Sequence, residues 1–359
     1  MGRPHDARLM APGPGSGPGG VPAAIGLSPI LSARYRAGEL DLIRAAAPGA
    51  RLVSISFEGL ADGPLDDVEV LLRGPLPAPT FERLVARCPA LRWVHSATAG
   101  VERVLIPSAL ARDLTITNAR GVFSRPIAEY VMLMVLAITR RLPELLELQR
   151  ERTWQPLGAV ELRDVTVGVV GLGSIGRAVA ALATAFGCRV IATRRQVAAG
   201  DAAGPGVADQ AEQPTVEPRL ERVLPPERLP DLLAECDFVV LALPLTADTD
   251  SLFDAATLAR CKPGAWLINV ARGGLVDERA LVRALRDGPL GGAVLDAFRD
   301  EPLAPDSPFY DLPNVILTPH TSWSSGRVLE RSIALFCDNL RRYAAGEPLH
   351  NVVDPNVGY

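Results

Sequence analysis

Three side chains toward the carboxyl end of the chain could share one piece of chemistry. Arg272 stands in Asn269-Val270-Ala271-Arg272-Gly273-Gly274, Glu301 in Asp296-Ala297-Phe298-Arg299-Asp300-Glu301-Pro302, and His320 in Leu317-Thr318-Pro319-His320. Each follows a short apolar run that reads as a strand, and open α/β sheets place their ligands at strand ends. Singly, each has an ordinary reading as a surface arginine, a loop acid or a hydrogen-bonded structural histidine. Together they fit the reduction of a ketone by hydride. The alkoxide that forms needs a proton donor working near neutral pH, which suits His320. A neighbouring carboxylate, Glu301, favours imidazolium and orients the ring. A guanidinium, Arg272, can grip a carboxylate in two places and stabilise charge on the ketone oxygen.

A hydride donor is implied by Val165-Thr166-Val167-Gly168-Val169-Val170-Gly171-Leu172-Gly173-Ser174-Ile175-Gly176. It reads as a buried strand, a glycine turn and a helix opening at Ser174 and Ile175, the context that a G-x-G-x-x-G motif needs to hold a dinucleotide. Gly171 permits the turn, Gly173 lets a pyrophosphate approach the backbone, and Gly176 lets the helix pack on the strand. The next strand, Arg189–Thr193, runs into Arg194 and Arg195, with Arg194 eighteen residues after Gly176. An acid there would select a free ribose 2′-hydroxyl, whereas arginines suit a 2′-phosphate. The expected cofactor is therefore NADPH in preference to NADH, with a solvated arginine pair as the alternative reading.

These residues need a scaffold, and the chain is long enough to supply two domains. It has 359 residues, of which 48% are hydrophobic, so each domain can bury a core. A net charge of -4 gives no reason to expect nucleic acid or an anionic membrane as partner. The five cysteines are scattered without metal spacing, which suits buried apolar residues in a reducing compartment. No metal site is expected. Residues 1–22 form a glycine- and proline-rich tail, expected to be disordered, without the apolar region of a secretory signal. The apolar stretch Ile127–Ile138 is too short to span a bilayer, so a soluble cytoplasmic protein is expected.

From Ala24 onward, strands expected at Arg51–Ser54, Val68–Leu72, Trp93–His95 and Thr115–Asn118 alternate with helices at Ala37–Ala47 and Thr80–Cys88, a parallel α/β pattern. The turn around Ala99, Gly100 and Val101 could offer backbone amides to a carboxylate; it equally fits a plain strand-to-helix corner. Ser124–Arg150 reads as one long helix, and Gln196–Pro218 as a mobile surface loop. Strands at Phe238–Ala242, Trp266–Asn269, Ala293–Leu295 and Val315–Leu317 continue the second domain, with helices at Leu229–Glu235 and Glu278–Arg286. A last helix, Arg327–Ala345, is expected to fold back on the first domain. Residues 120–318 would then be an insertion in a discontinuous domain of 23–119 and 319–349.

The quoted motifs, together with Asn118-Ala119-Arg120-Gly121, Ile127-Ala128-Glu129-Tyr130 and Leu243-Pro244-Leu245-Thr246, carry a resemblance over nearly all of the chain after the tail. It resembles the D-isomer-specific 2-hydroxyacid dehydrogenases, which include glyoxylate/hydroxypyruvate reductases, phosphoglycerate dehydrogenases and D-lactate dehydrogenases. The resemblance implies two Rossmann-like domains: a flavodoxin-like substrate (catalytic) domain and an inserted doubly wound NAD(P)-binding domain, with the site between them. It implies Arg272 as the substrate-binding and polarising group, Glu301 as the partner of the histidine, and His320 as the general acid/base. Asp296 would hold the nicotinamide carboxamide. Val270 and Ala271, with Leu243 and Pro244, would line the cofactor cleft, alongside Thr193 and the glycines. The backbone at Ala99, Gly100 and Val101 would bind the substrate carboxylate.

Arg194 departs from the acid carried by NAD-using members. The chain ends soon after its last helix, so the extra regulatory domain of long phosphoglycerate dehydrogenases is not expected. A homodimer through the nucleotide domains is. The expected reaction, on the CH–OH group of donors, is NADPH-linked reduction of a small 2-keto acid such as glyoxylate or hydroxypyruvate to the D-2-hydroxy acid. The alternatives are a short-type phosphoglycerate dehydrogenase, for which Arg103 is a candidate phosphate contact, and a dinucleotide-sensing corepressor. Formate dehydrogenases carry a glutamine in place of Glu301 and are set aside. Trp323, three residues past His320, could wall the substrate pocket, with plain packing as the alternative.

Overall fold

In the computed structural model of the chain, residues 19–30, 35–195 and 218–355 are described. Most of the tail and of the expected Gln196–Pro218 loop lies outside them. The chain divides into two compact units, one of residues 1–120 and 327–359 and one of residues 121–326.

The first unit is built on a five-stranded parallel sheet. Its strands are β1 (Ala24–Leu27), β2 (Arg51–Ser54), β3 (Val68–Arg73), β4 (Trp93–Ser96) and β5 (Thr115–Thr117), in the order β2-β1-β3-β4-β5. This is the flavodoxin-like order. Helices cover both faces, so successive side chains of a strand enter opposite cores. Val94 packs with Phe81, Leu84 and Val85 of α2 (Ala78–Arg87). Its neighbour Trp93 packs on the other face, with Ile43 of α1 (Ala37–Ala46) and with Phe336 and Tyr343. The last two belong to a helix, Val328–Ala345, that returns late in the chain and ends at Gly346, where φ is +71°. A short α3 (Pro107–Ala111) precedes β5.

The second unit opens with a difference from expectation. Ser124–Arg150 is two helices, α4 (Ser124–Thr139) and α5 (Leu142–Arg150), with Arg141 left-handed between them at φ +56°. Pro143 is the reason: it has no N–H for the carbonyl four residues back, and its ring would strike that carbonyl. The carbonyl, on Thr139, accepts instead from Val160 N at 3.1 Å.

Seven parallel strands follow: β6 (Thr166–Val170), β7 (Arg189–Thr193), β8 (Arg222–Leu224), β9 (Phe238–Leu241), β10 (Trp266–Asn269), β11 (Gly292–Leu295) and β12 (Val315–Leu317). Their order is β12-β11-β10-β9-β6-β7-β8. The direction of winding reverses between β6 and β9, and doubly wound sheets bind ligands outside the carboxyl ends of the strands at such a point. The alternation of faces recurs. Val190, Val240, Ile268 and Val294 pack with α4 and α6 (Ser174–Ala185), while Ile191, Val239, Leu267 and Ala293 pack with α7 (Leu229–Glu235), α8 (Ala255–Leu258) and α9 (Glu278–Arg286). Numbering the late helix α10 completes the set. Among the described residues no helix is long and apolar enough to cross a membrane.

The return to the first unit falls after Gly326 rather than before Pro319. The backbone amides of Thr321 and Ser322 both donate to Asp296 in the turn after β11, which ties this stretch to the second unit.

Candidate active site

The glycines of the motif make three separate contributions at the carboxyl end of β6. Gly171 has φ +98°, where a side chain is strained, and a Cβ there would also come within 2.8 Å of both the Ala242 carbonyl oxygen and the Leu243 Cβ. The turns after β6 and β9 are thus pressed together, with Leu243 and Pro244 beside the glycine turn. A Cβ on Gly176 would lie 2.1 Å from the Gly171 oxygen; only hydrogen fits where α6 crosses the turn. A Cβ on Gly173 would meet nothing within 4 Å. Gly173 caps a helix of 12 residues that opens with Ser174 and Ile175, so an uncrowded helix N-terminus faces that space, the arrangement that suits a pyrophosphate. The cradle fits a dinucleotide.

Thr193 is buried at the end of β7, and Arg194 follows with its amide donating to Leu224 O at 2.9 Å. The two arginines therefore start at a strand end, Arg194 half-buried and Arg195 exposed.

Arg272, Glu301 and His320 follow β10, β11 and β12, three adjacent strands. Their loops interlock. The Asn269 side chain accepts from Ala271 N at 3.1 Å and donates to Arg272 O at 2.9 Å, closing the turn that carries Arg272. Val270 and Ala271 are buried in it. Behind it, a Cβ on Gly273 would lie 1.9 Å from the Phe298 carbonyl carbon, so this turn lies directly on the one leading to Glu301. Arg299 adds a cross-tie, donating to Gly274 O at 3.0 Å and pairing with Asp250 at 2.9 Å.

His320 Nδ1 lies 2.9 and 3.0 Å from the two Glu301 oxygens, and Glu301 Oε1 also accepts from Phe298 N at 3.0 Å. Nδ1 is thereby the protonated nitrogen of the neutral ring. Nε2 has no protein partner among the described residues. The histidine side chain is 36% exposed: accessible to a substrate, yet fixed through Nδ1.

His320 sits in a turn with φ +50°. Asp296, fully buried, grips that turn: Oδ1 accepts from the Thr318 hydroxyl at 2.6 Å and Thr321 N at 2.8 Å, and Oδ2 accepts from Ser322 N at 3.0 Å. Tyr130 of α4 shares a 2.6 Å bond with the Thr318 hydroxyl, and burial pushes the phenol up to about 12. The structure thus gives Asp296 a role in shaping the His320 turn. The motif singled out Asp296 but not this role, because its partners are a hydroxyl and two backbone amides more than twenty residues away.

In the first unit, the loop after β4 has its carbonyls tied down. Thr98 O accepts from Ala119 N at 3.1 Å, Ala99 O from Asn118 Nδ2 at 2.9 Å, Gly100 O from the Thr98 hydroxyl at 2.8 Å and Val101 O from Val104 N at 2.8 Å. Among the described residues, the amides of Ala99, Gly100 and Val101 donate to no protein acceptor. Three consecutive amides without an acceptor among the described residues are donors of the kind an anion takes. Sequence reasoning missed Arg73. Its guanidinium, buried at the end of β3, donates to Arg103 O at 2.9 Å and to Leu76 O, bracing the far side of the loop. Burial, with Arg103 nearby, lowers it to about 10, still charged at neutral pH. The available signal was a charged residue closing the apolar run Val70–Leu72.

Comparison with known proteins agrees with this architecture. Residues 132–322 match the family model of the D-isomer specific 2-hydroxyacid dehydrogenase NAD-binding domain. A glyoxylate reductase of Korarchaeum cryptofilum is 33% identical over 325 residues, 89% of this chain and 90% of the relative. A D-3-phosphoglycerate dehydrogenase of Mycobacterium bovis is 36% identical over 277 residues, 77% of this chain, which spans only 49% of that relative. The crystal structure of a D-isomer specific 2-hydroxyacid dehydrogenase from Xanthobacter autotrophicus Py2, in complex with NADPH and MES, superposes with a TM-score of 0.78 at 32% identity, covering 94% of this chain and 100% of that one. With its flavodoxin-like sheet and its doubly wound second unit, the chain belongs to the D-isomer-specific 2-hydroxyacid dehydrogenase family and is an oxidoreductase that uses a nicotinamide dinucleotide.

Proposed function

We propose that the protein reduces a small 2-keto acid of the glyoxylate or hydroxypyruvate type to its D-2-hydroxy acid, with NADPH as the preferred cofactor. The observation that carries this reading is the His320–Glu301 pair, with Nδ1 held at 2.9 and 3.0 Å and Nε2 left for a substrate. A nicotinamide dinucleotide held at Gly171–Gly176, with Thr193, Leu243, Pro244, Val270 and Ala271 around it, would supply the hydride. His320 Nε2 gives the proton that the new alkoxide requires. Glu301 stabilises the imidazolium before that transfer and holds the ring plane throughout. Arg272 grips the carboxylate of the keto acid and draws charge onto the ketone oxygen. In the first unit, the amides of Ala99, Gly100 and Val101 are groups suited to a carboxylate.

Arg194 and Arg195 support the preference for NADPH, since their charge complements a 2′-phosphate; the Xanthobacter relative is described with NADPH. The glyoxylate reductase relative, aligned over 90% of its length, supports the small substrate. A phosphoglycerate dehydrogenase is the second reading, favoured by the 36% identity to the mycobacterial enzyme and by exposed Arg103 beside the amide loop. We also assign the protein a homodimer: α5 has no buried residue, and Leu142, Leu145, Leu146 and Trp154 are all exposed.

The test is oxidation of NADPH and of NADH with a panel comprising glyoxylate, hydroxypyruvate, bulkier 2-keto acids and phosphohydroxypyruvate, with His320→Ala as control. Turnover of the small acids with NADPH, lost in the variant, is expected. Turnover that survives in His320→Ala refutes the mechanism, and a phosphohydroxypyruvate preference selects the second reading.

A further inference from the structure

His320 is a non-glycine residue at φ +50°, a conformation that costs about 1 kcal/mol or more and persists only where its surroundings hold it. On one side of the turn Asp296 takes Thr318, Thr321 and Ser322. On the other, the indole Nε1–H of Trp323 donates to the carbonyl oxygen of His320 itself at 2.7 Å. In a regular helical turn that carbonyl would accept from a backbone amide; here a side chain three residues on takes that place. The indole is seated as well: it packs edge-on against Phe123, with ring centroids 6.3 Å apart and planes at 83°, and lies on the core that includes Ile127 and Val131.

We propose that Trp323 is a positioning residue, whose indole N–H locks the left-handed turn and so fixes the imidazole of His320 for proton transfer. This rests on the reading of His320 as proton donor. It replaces the view of Trp323 as a wall of the substrate pocket. A wall needs only the bulk of the ring, whereas the brace needs the N–H. The carbonyl of His320 lies in the peptide plane that the residue's own φ and ψ turn, so releasing it loosens the rotation that carries the ring away from Glu301. Asp296 holds the other end of that same planar peptide through Thr321 N, so carboxylate and indole grip it from opposite sides, and with the indole released the peptide keeps one pivot.

Trp323→Phe keeps the ring and the contact with Phe123 and deletes the donor. In the resting protein, amide hydrogen exchange at Thr321 and Ser322 is expected to quicken about tenfold, as befits one lost hydrogen bond, while the amides of β6 stay protected. In turnover, kcat is expected to fall about five- to tenfold with KM for keto acid and NADPH little changed. The solvent deuterium isotope effect on kcat is expected to rise as proton transfer becomes limiting. Phe123→Leu, which unseats the ring edge and leaves the N–H, is expected to move the same readouts less, and serves if the first variant does not fold. Unchanged exchange at Thr321 and Ser322 overturns the proposal. So does a variant that accepts bulkier keto acids with kcat and isotope effect intact, since Trp323 is then a wall. Faster exchange in a protein whose wild type reduces no 2-keto acid upholds the brace and removes the function instead.

Discussion

Replacing Glu301 with glutamine deletes one charge and almost nothing else, so it isolates what the carboxylate does for His320. The side chain is held on both oxygens: Oε1 accepts from Phe298 N at 3.0 Å and lies 3.0 Å from His320 Nδ1, while Oε2 lies 2.9 Å from the same nitrogen. In Glu301→Gln the amide oxygen can take the Oε1 place and keep both bonds. The amide nitrogen must then face Nδ1–H, donor against donor. A hydrogen bond to a charged partner contributes about 1.5–3 kcal/mol and a neutral one about 0.5–1.5 kcal/mol, so the exchange costs about 1 kcal/mol. The charge attraction adds less than it would in a dry interior, because the two side chains are 36% and 33% exposed; a screened pair of this kind contributes about 1 kcal/mol. Together these lower kcat by about thirtyfold. Steady-state NADPH oxidation should show that loss with the cofactor Kd unchanged, since Glu301 lies away from the glycine cradle in the sequence of turns. A glutamine variant that turns over like the wild type across the neutral pH range would refute the assignment of Glu301 as the partner that charges and orients the histidine.

Other perturbations probe other parts of the same design. Gly176→Ala sets a methyl 2.1 Å from the Gly171 oxygen and 3.0 Å from Val169 Cγ1, so α6 must retreat; NADPH affinity is expected to drop about tenfold or more with a lower Tm, read by fluorescence titration and thermal melting. Serine at both Arg194 and Arg195 removes the charges offered to a 2′-phosphate; kcat/KM with NADPH is expected to fall about a hundredfold while that with NADH holds, and parallel losses with both cofactors would count against the assignment. His95, wholly buried and bonded through Nδ1 to the Thr117 hydroxyl at 2.7 Å, has its pKa lowered by burial to about 3. The unfolded chain takes up that proton near its ordinary value of about 6.5, so stability is lost as the pH falls from there toward 3. The loss is about 2 kcal/mol between neutral pH and pH 5, and urea unfolding of the wild type against His95→Gln should show the slope reduced in the variant.

What could be read from the residues alone divides by the range over which each signal acts. The glycine turn was legible because its causes are local: the positive φ of Gly171 and the crowding at Gly176 are set within six residues of one another. The strands that bear Arg272, Glu301 and His320 were legible for a similar reason, each being a short β-branched or leucine-rich run, almost wholly buried in β10 and β11 and half-buried in the edge strand β12. The unbroken helix through residue 150 failed on a local signal that was present, since Pro143 forbids it, but the apolar stretch before it outweighed one proline. β1 and β8 escaped notice for want of contrast: Ala24–Leu27 carries a glycine and follows the glycine- and proline-rich tail, and Arg222–Leu224 opens on a charge next to Glu221; the sheet supplies what their sequence does not.

The clamp around His320 lies at the other extreme. Asp296 bonds residues 318, 321 and 322, Tyr130 reaches Thr318 across 188 positions, and the late exit from the second unit follows from those same bonds. Asp296, Tyr130 and Thr318 all lie in motifs that stand out in the sequence, but nothing in those motifs says which of them bond one another. Trp323 shows most directly why such roles stay hidden. A tryptophan three residues past a histidine suggests bulk near a pocket, because ring size is what a residue letter conveys, whereas the direction of one N–H depends on a backbone turn that only the folded chain defines. A motif therefore identifies the groups that carry out the reaction well before it identifies the ones that hold them still. Substitutions at the holding residues are where this protein should differ most from what its motifs alone would lead one to expect.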